Sequence, residues 1–155
     1  MSLNQSITAV LNGSIHTVHR IMPFELKAEQ PSLLNQDYLN EDLGVLIGMT
    51  GDFTGKLLIE GSEASFSLVG EKMYGLPLEG EMLSSFTGEL GNMIAGNLAT
   101  HVSEQEVSID ITTPTVIGGK RKVEDFSKGF LVPLTIEQEH KLSLILMIEE
   151  KLRMT

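Results

Sequence analysis

The first regular pattern of hydrophobic positions runs through residues 4–22. Apolar side chains recur there at every third or fourth position, which predicts an amphipathic helix with one buried face. Pro23 follows immediately. Because proline disfavours helical backbone in the residue before it, we expect the helix to end there. The apolar positions are Ile7, Val10, Leu11, Ile15, Val18 and Met22.

The pattern changes to that of strands in the next part of the chain. The stretch GVLIGMTGDFTGKLLIEGS holds two apolar segments on either side of a Gly-Asp pair. This arrangement predicts strands at 43–50 and 54–60 joined by a turn. The preceding segment, residues 24–42, is polar and without a period, so it is predicted to be irregular.

Two further helices are predicted in the middle of the chain. Ser62 can act as an N-cap, and Gly75 suits the left-handed position that often follows a helix, so a helix is predicted over 63–74. A longer helix is predicted over 79–102. Its core face is expected to comprise Phe86, Leu90, Met93, Ile94 and Asn97.

The last third of the chain is rich in strand-forming residues. VSIDITTPTVI, KGFLVPLTIEQE and HKLSLILMIEE are separated by proline, Gly-Gly and Glu-His breaks, and they predict three or four antiparallel strands. The order of elements predicts an α+β fold, a single domain over residues 1–155 in which long helices pack against a mostly antiparallel sheet.

Two of these strands lead to predictions about their positions in the sheet and about the oligomeric state. KLSLILMIEE is apolar in consecutive positions, so it should be covered on both faces or lie centrally. Pro133 lacks an amide hydrogen, so it must face away from the ladder or sit at a bulge, and its strand, within residues 115–136, is predicted to be an edge. An open edge favours pairing with a second copy, and we expect a homodimer.

Composition excludes several classes of function. With 11 Lys and Arg against 21 Asp and Glu, the net charge is −10, which disfavours nucleic-acid binding. The absence of cysteine excludes disulfides, thiol catalysis and zinc-thiolate sites, and fits a cytoplasmic protein. The longest strongly apolar run, LSLILMI, is far shorter than a membrane span, and the N-terminus does not resemble a signal peptide, so no membrane association is expected.

The candidate chemistry lies on the second long helix, in GELGNMIAGN. At about 100° per residue, Ser85, Glu89, Asn92 and Gly96 share one narrow polar stripe. Each glycine in a helix costs roughly 1 kcal/mol relative to alanine. We therefore expect the glycines, Gly88, Gly91 and Gly96, to leave space beside the acid and the amide for a partner. The alternative from composition alone is an ordinary solvated helix face.

Two other groups of residues have weaker claims to function. His16 and His19 have a spacing compatible with metal binding, but no third ligand is near in sequence, so a solvated face is expected. The cluster GGKRK includes Lys120 and Lys122 and lacks the spacing of a phosphate-binding loop. It is expected to be a solvated hairpin tip, with a docking contact as the alternative.

The stretch SFTGELGNMIAGNLATHVSEQEVSIDITTPTVI resembles the CheX/CheC family of bacterial chemotaxis phosphatases. That family's signature is Ser/Asp-x-x-x-Glu-x-x-Asn followed later by Pro. Here it reads Ser85, Glu89, Asn92 and, after 21 intervening residues, Pro114, which differs by one residue from the family's spacing. The likeness extends over roughly residues 5–150. The first helix has no acid–amide pair, which is similar to the single-site CheX branch.

The resemblance implies an activity and a set of roles. Members of the family dephosphorylate an aspartyl phosphate on the response regulator CheY. The resemblance implies that Asn92 holds the attacking water and that Glu89 pairs with a lysine of CheY. It also implies that no cofactor belongs to this chain, because CheY supplies the Mg²⁺. The expected partner contacts are Ser85, Gly88, Gly96 and Pro114; for Pro114 the alternative is an ordinary strand terminator.

A different class of function remains open at this point. Flagellar-switch components and some CheC-like proteins use the same fold as non-catalytic binding modules. An intact Glu89 and Asn92 favour the enzyme, because a module that only binds does not need the amide.

Overall fold

The computed structural model describes residues 2–22, 24–34, 38–40, 42–123 and 126–149. Within these ranges the chain forms three helices and ten strands. In chain order they are α1 (Leu3–Ile21), β1 (Leu26–Ala28), β2 (Ser32–Leu34), β3 (Tyr38–Asn40), β4 (Leu43–Gly51), β5 (Thr54–Gly61), α2 (Glu63–Tyr74), α3 (Gly80–Ser103), β6 (Ile109–Ile111), β7 (Thr115–Gly118), β8 (Arg121–Val123), β9 (Lys128–Ile136) and β10 (His140–Glu149).

The long periodic elements match their sequence predictions to within one or two residues at each end. The Ser62 hydroxyl caps α2 by accepting a hydrogen bond from the backbone N–H of Ser65 at 3.0 Å. Gly75 ends the same helix with φ of +81°, and its N–H donates to the carbonyl of Glu71. Helix α1 ends at Ile21, as the pattern predicts, while Pro23 lies outside the described residues.

The prediction of an irregular segment at 24–42 is wrong in part. This segment contains three strands of three residues each, β1, β2 and β3. Strands β1 and β2 pair with β9, and β3 pairs with β8. A strand this short shows no hydrophobic period of its own. Strands β1 and β2 form because the nine-residue strand β9 supplies their hydrogen bonds, whereas β3 pairs with the equally short β8.

The main sheet is antiparallel throughout and has the strand order β1-β9-β10-β5-β4-β6. Strand β2 also pairs with β9, and β7 also pairs with β4. The α+β architecture predicted from the order of elements is therefore confirmed. Strands β3 and β8 form a separate two-stranded sheet.

Apolar side chains bury both faces of the main sheet. The larger core joins one face to the three helices through residues such as Phe66, Leu90 and Val18. A smaller core on the other face contains Leu58, Ile145 and Met147, and the β3–β8 pair covers it through Tyr38 and Val123. The helices therefore occupy one side of the sheet only.

Strand β10 lies centrally, as its continuous apolar run predicts. It pairs with β9 on one side and β5 on the other. Its residues Leu144–Ile148 are all buried and alternate between the two cores.

The prediction that the strand containing Pro133 is an edge is wrong, because β9 pairs with β10 on one side and with β1 and β2 on the other. The carbonyl of Pro133 accepts a hydrogen bond from the N–H of Glu29 at 2.9 Å. Because N and O of one strand residue point to the same side, the missing N–H of Pro133 faces this neighbour and not β10. The residues Glu29–Pro31 lie opposite only Val132 and Pro133, which makes a one-residue bulge there.

The opposite edge of the sheet has a second bulge. The N–H of Thr112 donates to the carbonyl of Gly48 at 3.0 Å, and the next pair joins Leu46 to Thr115. Thr113 and Pro114 therefore both lie opposite Ile47, between β6 and β7. Both edges of the sheet are thus broken by a bulge next to a proline.

No helix within the described ranges is both long enough and apolar enough to cross a bilayer.

Candidate functional site

Helix α3 lies against the sheet at β4, β6 and β7, and against α1 and α2. Packing of its apolar face stabilises it in spite of its glycines, since tertiary contacts supply most helical stability. The buried residues of α3 are Leu83, Phe86, Thr87, Leu90, Gly91, Ile94, Ala95, Leu98 and Val102.

A polar strip runs along the opposite side of α3. It consists of Ser85, Glu89, Asn92 and Gly96, and all four residues are exposed, as the helical spacing predicts. Glu89 and Asn92 are one turn apart, about 4.5 Å along the axis. The strip therefore presents one carboxylate beside one side-chain amide.

Neither of these two groups has a hydrogen-bond or ion-pair partner among the described residues. Asn97, on the same helix, provides the contrast because its amide donates to the carbonyl of Met93 at 2.8 Å. Asn97 was expected on the core face, and that expectation is wrong, because its side chain is exposed. Asn92 and Glu89 are thus free to contact another molecule.

The three glycines of this helix lie in different surroundings. A Cβ on Gly91 would lie 2.6 Å from Val45 Cγ2 and 3.1 Å from Pro114 Cβ. A Cβ on Gly88 would lie 3.4 Å from Val116 Cγ2, whereas no atom of the described residues lies within 4 Å of a Cβ on Gly96. The expectation that Gly91 makes room for a partner is wrong, since the close neighbour at Gly91 is the protein's own sheet.

The bulge between β6 and β7 brings Pro114 to the site. Pro114 packs against Gly91, directly beside Asn92. Asn92, Gly96 and Pro114 line one shallow groove of about 420 Å³ between α3 and this edge of the sheet. The bulged strand therefore brings Pro114, which follows Asn92 by 22 positions in the chain, next to the polar strip on α3.

The same groove contains residues that the sequence did not mark as functional. Asp110 and Thr112 line it together with Asn92. They arrive there because β6 pairs with β4 beside α3. A strand residue with ordinary spacing carries no sign in the sequence that it will border the preceding helix, so spacing alone could not identify them.

The weaker candidates lie elsewhere. The His16 ring stacks on that of His101 with centroids 4.4 Å apart, so its neighbour is on α3 and is not His19. Across the described chain, no three His, Asp or Glu side chains converge to hold a metal ion. Arg121 and Lys122 belong to β8, which covers the face of the sheet opposite to α3.

The arrangement can bind and orient groups, but it lacks an activated nucleophile of its own. An amide can hold a water molecule through both its carbonyl oxygen and its NH₂ group. A free carboxylate beside it can pair with a cation on a partner. Together they suit a reaction in which water attacks a group that another protein presents.

Comparison with known proteins gives a consistent result. The family model described as Chemotaxis phosphatase CheX matches residues 43–135. The CheY-P phosphatase CheX of Thermotoga maritima is 30% identical over 152 residues, which cover 95% of this chain and 98% of that protein.

Solved structures share the fold. A CheC-like superfamily protein from Shewanella sp. PV-4 has a TM-score of 0.76 at 25% identity, covering 97% of this chain and 100% of that one. The CheX–CheY–BeF₃–Mg²⁺ complex from Borrelia burgdorferi has a TM-score of 0.76 at 21% identity, covering 93% and 97%. With the family model and the Thermotoga relative matching most of its length, this chain belongs to the CheX family of chemotaxis phosphatases.

Proposed function

We propose that this protein hydrolyses the aspartyl phosphate of a CheY-like response regulator and so terminates its signal. One observation carries the proposal: a carboxylate and an amide, neither with a partner among the described residues, stand side by side on an exposed helix face of a CheX-family protein. The product pair is inorganic phosphate and the regulator's free aspartate, with water supplying the oxygen that bonds to phosphorus.

Asn92 is the residue proposed to position the attacking water. Phosphoryl transfer needs little covalent help from the protein and depends on in-line placement and charge stabilisation. The Asn92 side chain can accept a hydrogen bond from the water and donate one to a phosphoryl oxygen. Within the described part of the chain it has no hydrogen-bond partner, so no hydrogen bond there must break first.

Glu89 is proposed to position the regulator. A carboxylate close to a phosphoryl group is repelled unless a cation lies between them, so Glu89 suits a pairing with a lysine of the regulator. No three metal-ligating side chains converge among the described residues, so this surface does not offer a cluster of carboxylates to Mg²⁺. The regulator is therefore proposed to supply the Mg²⁺.

The remaining contact surface is proposed to comprise Ser85, Gly88, Gly96 and Pro114. Within the polar strip, Ser85 lies one turn before Glu89 and Gly96 lies one turn after Asn92. Pro114 borders Asn92 in the shared groove, and Gly88 is half-buried beside the strip. These small or rigid groups leave Glu89 and Asn92 as the most prominent side chains for a partner to meet.

The test is release of phosphate from phosphorylated response regulators of the same genome, with and without this protein. Asn92→Ala should reduce the rate at saturating regulator by about 100-fold or more, with binding largely unchanged, because water placement acts mainly in the transition state. Asn97→Ala is the matched control, since it removes an exposed asparagine from the same helix.

Activity of Asn92→Ala within a few-fold of wild type would rule out the assigned role. A wild-type protein that binds the phosphorylated regulators without accelerating phosphate release would favour the non-catalytic binding module instead.

We also propose that the protein is a homodimer formed through a sheet edge. The edge made by β1 and β2 is the better candidate, because Leu33 in β2 is 64% exposed. Four strands separate this edge from β6 and the adjoining site, so both sites would stay open. Light scattering should give about 34 kDa, twice the 17.0 kDa of one chain, and Leu33→Asp should lower it. A wild-type mass of one chain would contradict the dimer.

Residues 1–155 are proposed to act as one CheX-like domain in the cytoplasm. The described elements from α1 to β10 share one main sheet and its larger core, which supports a single unit. The cytoplasmic location follows from the proposed substrate, and a chain without cysteine suits that compartment.

A further inference from the structure

A cluster of exposed apolar side chains adjoins the N-terminal end of the polar strip. We call Tyr74, Leu76 and Met82 the apolar patch; they are 54%, 47% and 60% exposed. Only two other large hydrophobic side chains of the described residues are comparably exposed, Leu3 and Leu33. Single exposed apolar residues are ordinary, but three together commonly mark an interaction surface.

Contacts at Tyr74 and Leu78 hold the segment that carries Leu76. The rings of Tyr74 and Phe86 pack edge to face, with their centroids 5.6 Å apart and their planes at 88°. Leu78 is buried over Gly70, where an added Cβ would lie 2.5 Å from Leu78 Cδ1. The Ser67 hydroxyl donates to the carbonyl of Leu78 at 2.8 Å. A surface that is already ordered loses little conformational freedom when it binds a partner.

The apolar patch is continuous with the polar strip. Ser85 belongs to the strip and also lines the groove of about 610 Å³ that the patch forms. Met82 and Asn92 are ten residues apart on one side of α3, about 15 Å along the axis. A typical interface of roughly 800 Å² on each partner is wide enough to include both.

The border of the apolar patch is acidic. Glu79 and Glu81 are exposed, and Glu81 lines the groove beside Met82. Glu89 follows on the polar strip. An apolar centre with carboxylates at its border selects a partner that offers an apolar side chain flanked by basic groups.

From this continuity and charge we propose that the apolar patch is a second contact for the response regulator. An apolar side chain near the regulator's phosphorylation site, with basic neighbours, would seat between Tyr74, Leu76 and Met82 while Asn92 reaches the phosphoryl group. The inference rests on the proposed function and adds to it a surface that determines which regulator is recognised.

The experiment separates affinity from chemistry. Leu76→Asp should weaken binding of a beryllofluoride-activated regulator by about tenfold or more, as removal of a central apolar contact does at other interfaces. The KM for phosphate release should rise by a similar factor, and the rate at saturating regulator should stay within about twofold, because the patch acts in binding alone.

Leu3→Asp is a matched control, because Leu3 is 46% exposed, close to the 47% of Leu76, and lies on α1, outside the groove that the patch forms. Equal affinities for Leu76→Asp and Leu3→Asp, with phosphate release intact, would overturn the apolar-patch proposal and leave the proposed function standing. If the wild-type protein neither binds nor dephosphorylates any regulator, the proposed function fails, and the proposal that the apolar patch binds a regulator fails with it. A drop in oligomeric mass without a change in affinity would assign the patch to a second copy of this chain and also overturn the proposal.

Discussion

Gly91 and Gly96 are five residues apart on α3, yet they lie on different faces of the helix and have different roles. Gly91 faces inward, where Val45 and Pro114 fill the space that a side chain would need. Gly96 faces outward, where nothing lies within 4 Å. The inward glycine permits the helix to approach the sheet. The outward glycine contributes nothing to packing, so its cost to the helix points to function.

The comparison predicts that changes on the outward face alter binding or rate without lowering stability. The largest effect after loss of Asn92 is expected at Glu89. Glu89→Ala or Glu89→Lys should weaken binding of the activated regulator by about 2–5 kcal/mol, because truncation leaves the partner's charge unpaired at the interface. Titration calorimetry with the beryllofluoride-activated regulator measures this change.

Glu104→Ala is the control for Glu89, since Glu104 is an exposed carboxylate at the C-terminal end of the same helix. If Glu89→Ala and Glu104→Ala bind equally well, Glu89 is only a solvated helix residue.

On the inward face, Gly91→Ala should lower stability. Its Cβ would lie 2.6 Å from Val45 Cγ2 in a closely packed core, and overpacking of this kind costs about 1–3 kcal/mol. Denaturant unfolding provides the free energy of unfolding. Adding Val45→Ala removes the colliding methyl groups, so the double variant should lose less stability than the sum of the single ones. Additive losses would show that the contact with Val45 does not set the cost.

The smallest stability change, and of opposite sign, is expected at Gly96. Gly96→Ala should raise the free energy of unfolding by up to about 1 kcal/mol, because alanine favours helix and meets no neighbour here. The rate of phosphate release should fall several-fold, since the new methyl group stands where the regulator approaches. A variant that is more stable and fully active would show that the outward glycine is not reserved for a partner.

The polar strip could be read from the sequence because helical geometry alone decides which residues share a side. Ser85, Glu89, Asn92 and Gly96 needed only the 100° rotation per residue. Asn97 was misplaced because the buried direction turns along α3, from Phe86 near its start to Val102 near its end. That drift depends on which elements the helix meets, and the sequence of α3 does not contain this information.

The features of the sheet that the sequence did not predict have a similar cause. Strand β9 has Pro133 and so resembled an edge, but the bulge at Glu29–Pro31 allows a strand to pair beside it. The bulge that carries Pro114 to Gly91 likewise depends on the register of β6 and β7 against β4. Register between distant strands depends on pairing choices that a local pattern does not specify.

The central position of β10 has a consequence for how the molecule opens. Its backbone hydrogen bonds run to β9 and β5 along nearly the whole strand, and apolar side chains shield both of its faces. Amide protons here can exchange with solvent only when the whole domain unfolds. Strands β1 and β2, with three residues each and a bulge between them, can open without disturbing the rest. In the dissociated chain, hydrogen exchange should therefore divide this sheet into a slow centre and a fast margin, with the margin at the edge farthest from Asn92; pairing of that edge in the proposed dimer should slow exchange at the margin.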